Sequence, residues 1–300
     1  MDIRFVAQEE IDRLRWDSCI HYATNGNAFG YTWFLNNATK NWDALVEGEY
    51  ESVLPLTWEL DRLNRRVLRQ PPLVRELGIY SVNMLSPRRM DAFLLQIPAS
   101  YKSIQITLNE RNTFKTDESY DWTPRKNYQL LMTDVYEVLR SKYDPVLGKN
   151  LKAQQDHLIP ISNIKPELLA AFYKAHTKKS RKQEKTFHAI QRITYNAMHR
   201  GIGFSTGITD LEGNMLAMNF FIYSHGKVLS VLPLVSAQGK AQNALAMLFD
   251  RFIQSHAGRP LILDFNTNEA IAKRLGAKEN IYYELGKEER KWQFLNKWLG

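Results

Sequence analysis

The residues best suited to bind a ligand lie in a glycine-containing turn between a strand-like run at 228–236 and an apolar helix at 243–253. Glycine can adopt positive φ and allows an anion to approach the backbone, and a turn that opens a helix leaves N–H groups free for phosphate. Lys240 adds a cation, and the hydroxyl of Ser236 can cap the helix. We therefore expect an anionic ligand at Ser236, Gln238, Gly239, Lys240 and Ala241. The alternative is an ordinary strand-to-helix turn.

A second group of polar residues follows this turn, within and after a buried strand at 261–265. Asp264 lies inside the apolar run. A buried carboxylate that is not hydrogen-bonded has a raised pKa, which suits a general base. Its alternation with Leu263 and Phe265 also allows a residue that faces outward. Asn266 and Asn268 either cap the next helix or meet a ligand at the strand end.

Two further residues are candidates for proton transfer. His176 lies beside a basic segment and is a candidate base, and Tyr283 is a candidate acid. The seven histidines form no HxxxH or HxH pair, so we predict no metal site. Cys19, the single cysteine, excludes a disulfide framework and stands among apolar residues, which favours core packing over a nucleophile. Walker, GxGxxG and GxSxG motifs are absent.

Charge is concentrated in one segment of this 300-residue chain, which carries a formal net charge of +8. Between residues 174 and 192 there are seven cations and one anion, Glu184, so this segment supplies +6 of that charge. The cations are Lys174, Lys178, Lys179, Arg181, Lys182, Lys185 and Arg192. Such a cluster attracts polyanions, although it can also be a solvated loop between two helices. The chain shows no apolar run long enough to span a membrane and no signal peptide, so we expect a cytoplasmic protein.

The order of elements predicts an internal repeat. The first half shows a helix at 9–22, a β-hairpin at 42–58, a helix at 87–96 and a strand at 103–108. The second half shows strands at 203–208, 215–223 and 227–234, then the helix and strand described above. We predict an α/β protein of two modules, residues 1–150 and 151–300, joined near 145–155. Each is a mixed, mostly antiparallel sheet flanked by helices.

Short motifs in this order over nearly the whole chain resemble the FemAB-like branch of the GNAT superfamily, which has tandem acetyltransferase-like domains. They lie at 16–17, 26–29, 33–34, 125–130, 136–139, 143, 149–153, 239, 246, 250, 253, 263–265 and 275–277. The resemblance implies transfer of an acyl or aminoacyl group to an amine, from acyl-CoA or aminoacyl-tRNA. It also implies that the turn at Gly239 holds the pyrophosphate of acyl-CoA.

Two departures from the family pattern concern the donor site. Ser236 stands where GNAT domains commonly have Gln or Arg, although Gly239 and Ala241 match. The tyrosine that often protonates the leaving thiolate has no counterpart in the helix near 269–275, where Lys273 and Arg274 stand instead. Tyr282 or Tyr283 can take its place. We further expect Gly239→Glu to abolish donor binding and leave the fold intact.

Other interpretations stay open at this stage. The chain can be a non-catalytic binding protein that recognises tRNA or another polyanion, or a structural copy without a ligand. The amphipathic tail at 288–299 is expected to dock on its own domain, with a homodimer contact as the second choice and a membrane surface as the third.

Overall fold

A computed structural model describes residues 1–113, 118–266 and 268–288. From the N-terminus the elements are β1 (Ile3–Val6), α1 (Arg13–Tyr22), α2 (Thr32–Ala38), β2 (Trp42–Glu47), β3 (Ser52–Leu60), β4 (Arg66–Arg69), β5 (Tyr80–Ser81), α3 (Pro87–Leu95), β6 (Ile104–Thr107) and β7 (Asp121–Leu131). Residues 289–299 of the predicted tail at 288–299 lie outside the described residues.

The remaining elements are α4 (Tyr136–Ser141), α5 (Pro145–Gln154), β8 (Ile159–Ser162), α6 (Pro166–His176), α7 (Arg181–His199), β9 (Gly203–Thr209), β10 (Met215–Ser224), β11 (Lys227–Ser230), β12 (Leu234–Val235), α8 (Ala237–Ala241), α9 (Ala244–His256), β13 (Ile262–Asp264), α10 (Glu269–Arg274) and β14 (Lys278–Lys287). Within the described ranges, no helix combines the length and apolar character that crossing a membrane requires.

Contacts divide the chain into two compact units. Unit 1 contains residues 1–125 and 281–288, and unit 2 contains residues 126–280. The first unit has the strand order β1-β2-β3-β4-β6-β14, with β4 and β6 parallel and the other neighbours antiparallel. The predicted hairpin is confirmed as β2 and β3. The predicted helix at 87–96 is confirmed as α3, which has Pro at its first turn and Ser86 as its cap.

Unit 2 repeats this arrangement. Its strand order is β8-β9-β10-β11-β13-β7, with β11 and β13 parallel and the other neighbours antiparallel. Starting from β1 in unit 1 and from β8 in unit 2, each unit has a strand, two helices and three antiparallel strands. A further strand, β6 or β13, then pairs in parallel with the third of these. The predicted α/β repeat is confirmed, and β6 and β13 occupy equivalent positions in it.

The boundary between the units differs from the predicted one at 150/151. Residues 145–154 form helix α5 rather than a linker. Seven apolar side chains of β7, α4 and the segment through α5 lie in the core of unit 2: Tyr128, Leu130, Met132, Leu139, Tyr143, Leu147 and Leu151. Because these side chains belong to unit 2, the division falls at 125/126.

The basic segment also differs from the loop that we considered. Residues 181–199 form one helix, α7, whose N-terminus is capped by the hydroxyl of Ser180 accepting from the N–H of Gln183. The buried side chain of Gln183 donates to the carbonyl groups of Lys174 and Thr177. Helix α7 is therefore tied to the end of α6, and the cations stand on an ordered surface.

Candidate functional site

The candidate site of unit 2 lies where the parallel strands β11 and β13 end. Their pairing runs from Lys227 with Ile262 to Leu229 with Asp264. The next residues of the chain shift register by one against β10, because Ser230 pairs with Phe221 but Leu234 pairs with Met218. Ligands of open α/β sheets commonly bind beyond the carboxyl ends of parallel strands, which is where α8 and α9 begin.

Ser236 and Gly239 form the start of α8. The hydroxyl of Ser236 accepts a hydrogen bond from the N–H of Gly239 at 2.9 Å, so Ser236 caps this helix. Gly239 is buried, its φ is not positive, and a Cβ atom there would overlap the carbonyl oxygen of Leu216. The expectation of a glycine with positive φ and a free N–H is therefore wrong. Gly239 is needed because the helix packs directly against the backbone of β10.

The free N–H groups of this region are instead at the start of α9. Asn243 precedes the helix in the left-handed conformation, with φ 55° and ψ 29°, and its side chain forms no capping hydrogen bond. The carbonyl of Asn243 accepts from the N–H of Met247. The N–H groups of the first three helical residues, 244–246, therefore have no partner within the helix, and the positive end of its dipole is uncapped.

A cavity of about 190 Å³ lies at this helix end. Two cationic side chains line it, Lys240 from α8 and Arg274 from α10. Its other lining residues are mostly apolar: Leu147, Val235, Gly239, Asn243, Leu245, Ala246 and Ile271. An uncapped helix N-terminus beside two cations is a site for an anion such as phosphate.

Arg274 is held in place by Asp144, the cap of α5. The guanidinium lies 3.3 Å from the Asp144 carboxylate, and the N–H of Asp144 donates to the carbonyl of Arg274 at 2.8 Å. The pKa of Asp144 is lowered, first because the N–H of Leu147 donates to the carboxylate and then because Arg274 does. Asp144 therefore stays ionised and fixes the cation at the wall of the cavity.

Asp264 is fully buried and hydrogen-bonded. One carboxylate oxygen accepts from the side chains of Asn127 at 2.9 Å and Gln129 at 3.1 Å, and the other accepts from the N–H of Asn266 at 2.9 Å. The sequence allowed an unbonded buried carboxylate or a residue that faces outward, and the structure shows neither, because Asp264 is buried and accepts three hydrogen bonds. These contacts join the end of β13 to β7 and hold the turn in which Asn266 takes a positive φ of 57°.

The remaining residues of the predicted donor loop and strand end have structural contacts of their own. Asn268 stands at the N-cap position of α10, where its carbonyl accepts from Ala272, while its side chain donates to Phe265. Gln238 donates to Asp210, and Ala241 ends α8. Of the predicted loop residues, the cavity brings together Gly239 and Lys240.

The two candidates for proton transfer lie on other elements. His176 is exposed in the last turn of α6, where its ring packs on Phe172. Tyr283 belongs to β14 of unit 1, packs against Trp122, and accepts a backbone hydrogen bond from Leu108.

Cys19 packs in the core of unit 1. Burial raises the pKa of its thiol to about 12, so the side chain is a thiol at neutral pH and not a nucleophile.

Sequence reasoning missed Asn243 and did not assign Arg274 to the site. Asn243 carried a usable signal, since asparagine adopts the left-handed conformation more readily than most residues and stands directly before an apolar helix. Arg274 carried none, because its role depends on Asp144, which lies 130 residues away.

Comparisons with known proteins give a fold and no closer relationship. No family model matches the chain, and no curated protein matches it. The crystal structure of FemX is similar, with a TM-score of 0.63 and 9% identity over 94% of this chain and 97% of that chain. L-PGS from Bacillus licheniformis is similar, with a TM-score of 0.51 and 8% identity over 94% and 93% of the two chains.

A tandem GNAT protein from the clavulanic acid biosynthesis pathway has a TM-score of 0.50 and 12% identity, over 95% of this chain and 98% of that chain. Identities this low establish the fold alone. The chain therefore has the fold of these proteins, with two tandem GNAT-like units, as the resemblance of its motifs predicted.

Proposed function

We propose that the protein is an N-acyltransferase that moves an acyl or aminoacyl group from acyl-CoA or aminoacyl-tRNA to an amine. The observation that carries the proposal is the uncapped N-terminus of α9, which opens with Lys240 and Arg274 onto one cavity. Its fold is that of proteins described as FemX and as a tandem GNAT protein, which supports the same reaction class.

Acyl-CoA is the donor that this cavity favours. Its pyrophosphate would accept from the N–H groups of residues 244–246 and pair with Lys240 and Arg274. The apolar wall formed by Val235, Leu245 and the other lining residues suits the uncharged arm that follows the phosphates. We retain the wider donor loop, Ser236 to Ala241 with Asn266 and Asn268, as part of the proposed site. Ser236 and Gly239 would shape it rather than bind directly.

The proposed reaction needs no covalent intermediate. The attacking amine must lose a proton, its nitrogen bonds to the acyl carbon, and the thiolate or tRNA hydroxyl leaves with a proton. Holding donor and amine in line supplies much of the rate. We propose Asp264 as a positioning residue, because its carboxylate oxygens are engaged by N–H donors at the end of β13. His176 and Tyr283 remain predicted candidates for proton transfer.

A direct assay is release of free CoA from acetyl-CoA and longer acyl-CoAs with a panel of amines, followed with a thiol reagent. We expect release with one class of acyl chain, and a loss of about tenfold or more in kcat/KM for Lys240→Glu. Lys165→Glu is the matched control, because Lys165 is an exposed cation of unit 2 that does not line the cavity.

The proposal fails if neither acyl-CoA nor aminoacyl-tRNA yields an acylated amine. It also fails for this cavity if Lys240→Glu and Lys165→Glu are equally active.

Non-catalytic recognition of a polyanion is a second candidate, because seven cations between Lys174 and Arg192 are exposed on α6, α7 and the turn between them. Lys174 also forms an ion pair with Glu184 at 3.5 Å. Binding of tRNA through phosphate contacts must weaken steeply as salt rises. A tRNA affinity independent of salt would contradict this second function.

A further inference from the structure

A second, larger cavity of unit 2 lies between strands β8 and β9 and the last three turns of α9, with a volume of about 420 Å³. Twelve residues line it: Pro160, Ile161, Ser162, Phe204, Thr206, Gly207, Ile208, Leu248, Arg251, Phe252, Ser255 and His256. None of them lines the cavity at the N-terminus of α9, the donor cavity, which we propose for the acyl donor. Its size is within the roughly 300–1,000 Å³ typical of small-molecule sites.

Aromatic rings with nearly parallel planes form one part of its lining. Phe252 lies at 17° to Phe204, with ring centres 6.0 Å apart, and at 17° to His256, with ring centres 4.1 Å apart. Phe252 is 4% exposed and also stacks on Phe221, so the partly exposed ring of Phe204 is the one that a flat, apolar ligand can pack against in an offset arrangement.

His256 belongs to this apolar lining because its ring is uncharged at neutral pH. Burial lowers its pKa, and its ring nitrogens lie 3.0 Å from the carbonyl of Phe252 and 3.1 Å from the hydroxyl of Tyr223. The nearby Arg259 also lowers its pKa. One ring nitrogen therefore donates to Phe252 while the other accepts from Tyr223, as in a neutral imidazole.

Arg251 gives the cavity its charge. Of the described residues that line it, Arg251 alone carries a permanent charge, and none is a carboxylate. Two of its guanidinium nitrogens donate to the side chain of Gln254 at 3.3 Å and the carbonyl of Gln155 at 3.2 Å. Its Nε is buried and has no hydrogen-bond partner among the described residues.

Thr206 adds a second unused polar group. Its hydroxyl oxygen is buried and has no hydrogen-bond partner within the described part of the chain. Buried polar groups in folded proteins are usually hydrogen-bonded, so an unused donor and an unused hydroxyl on the lining of one cavity indicate a ligand that satisfies them. A carboxylate accepts from both N–H and O–H donors.

We propose that this cavity is a second binding site, which takes a small aromatic carboxylate. The ring packs against Phe204, and the carboxylate accepts from Arg251 and Thr206. The site is separate from the donor cavity and does not depend on the proposed acyl transfer.

The test uses the full chain and two probes, phenylacetate and indole-3-acetate, with phenylacetamide as the uncharged control. Binding is measured by isothermal titration calorimetry. We expect saturable 1:1 binding of at least one acid, and binding of phenylacetamide that is about tenfold weaker or worse. Absence of saturable binding of both acids to the folded protein would overturn the proposal.

Variants locate the site. Arg251→Gln should weaken binding about tenfold or more, Thr206→Val should weaken it several-fold, and Arg251→Lys should retain part of the affinity because it keeps the charge. Lys240→Glu is the control and should bind the acid as the unchanged protein does. If Arg251→Gln does not fold, Thr206→Val and Arg251→Lys decide. Affinity unchanged in both of these would overturn the assignment to this cavity.

Discussion

Gly239 shows how one residue can be identified correctly for the wrong physical reason. The sequence predicted a flexible glycine at a phosphate-binding turn, whereas the structure has a helical glycine packed against the backbone of β10. Its N–H is bound by Ser236. Glycine is therefore needed for close approach, and we propose the neighbouring N-terminus of α9 as the phosphate-binding element instead.

Gly239→Ala should lower the free energy of unfolding by about 1–3 kcal/mol, because the added methyl overlaps the Leu216 carbonyl and the backbone must shift. The measurement is urea-induced unfolding followed by circular dichroism. Gly239→Glu should be destabilised further, which contradicts the expectation that this variant leaves the fold intact.

Gly148→Ala is the matched control, since Gly148 lies in α5 with no atom within 4 Å of an added Cβ. It should gain about 0.5–1 kcal/mol. Equal effects of the two substitutions would contradict the packing argument for Gly239.

At the scale of elements, the sequence predicted what depends on local pattern. The hairpin β2–β3, the helices α3 and α9 and the strand β13 were visible because alternation, a proline at a first helical turn and apolar periodicity are local signals. Helix α7 was not predicted, because the many charged residues at its start suggested a solvated loop. The structure shows that the helix has an apolar face, to which the buried Ile190 and Ile193 belong.

The polar contacts of the site could not be predicted in the same way. Asp264 is bonded by Asn127 and Gln129, more than 130 residues earlier in the chain. Their proximity requires the pairing of β7 with β13, which nothing in the local pattern of either strand specifies. The sequence therefore located a buried carboxylate and left its partners open.

Asp264→Asn tests the strand end that these contacts hold. Replacing one carboxylate oxygen by an NH₂ group removes a charged acceptor and places a donor against the N–H groups that now donate to Asp264. We therefore expect the free energy of unfolding to fall by about 1.5–3 kcal/mol. Asp156→Asn, at an exposed position, should have no measurable effect. Unchanged stability of Asp264→Asn would show that these bonds do not hold the strand end.

At the scale of the whole molecule, the repeat was predictable and its boundary was not. Element order alone indicated two modules, and each unit shows the same succession of strands and helices. The boundary depends on where β7, α4 and α5 bury their apolar side chains, which is a tertiary property. Those side chains join the core of unit 2, so the second unit begins 25 residues before the predicted position, at Lys126 rather than at residue 151.

Truncation tests this boundary. A fragment of residues 151–300 lacks Tyr128, Leu130, Leu139 and Leu147 from the core of unit 2, so it should show no cooperative unfolding transition. A fragment of residues 126–300 keeps them and should unfold cooperatively. Thermal unfolding followed by circular dichroism distinguishes the two. A stable 151–300 fragment would contradict the division at 125/126.

We propose that the N-terminus of α9, with Lys240 and Arg274, binds the phosphates of the acyl donor. The most direct measurement is the affinity of free CoA by isothermal titration calorimetry for the unchanged protein, Lys240→Glu, Arg274→Glu and the control Lys165→Glu. We predict saturable binding to the unchanged protein and the control, weakened about tenfold or more in each of the other two variants. No binding of CoA, or equal affinity in all four proteins, would contradict the account.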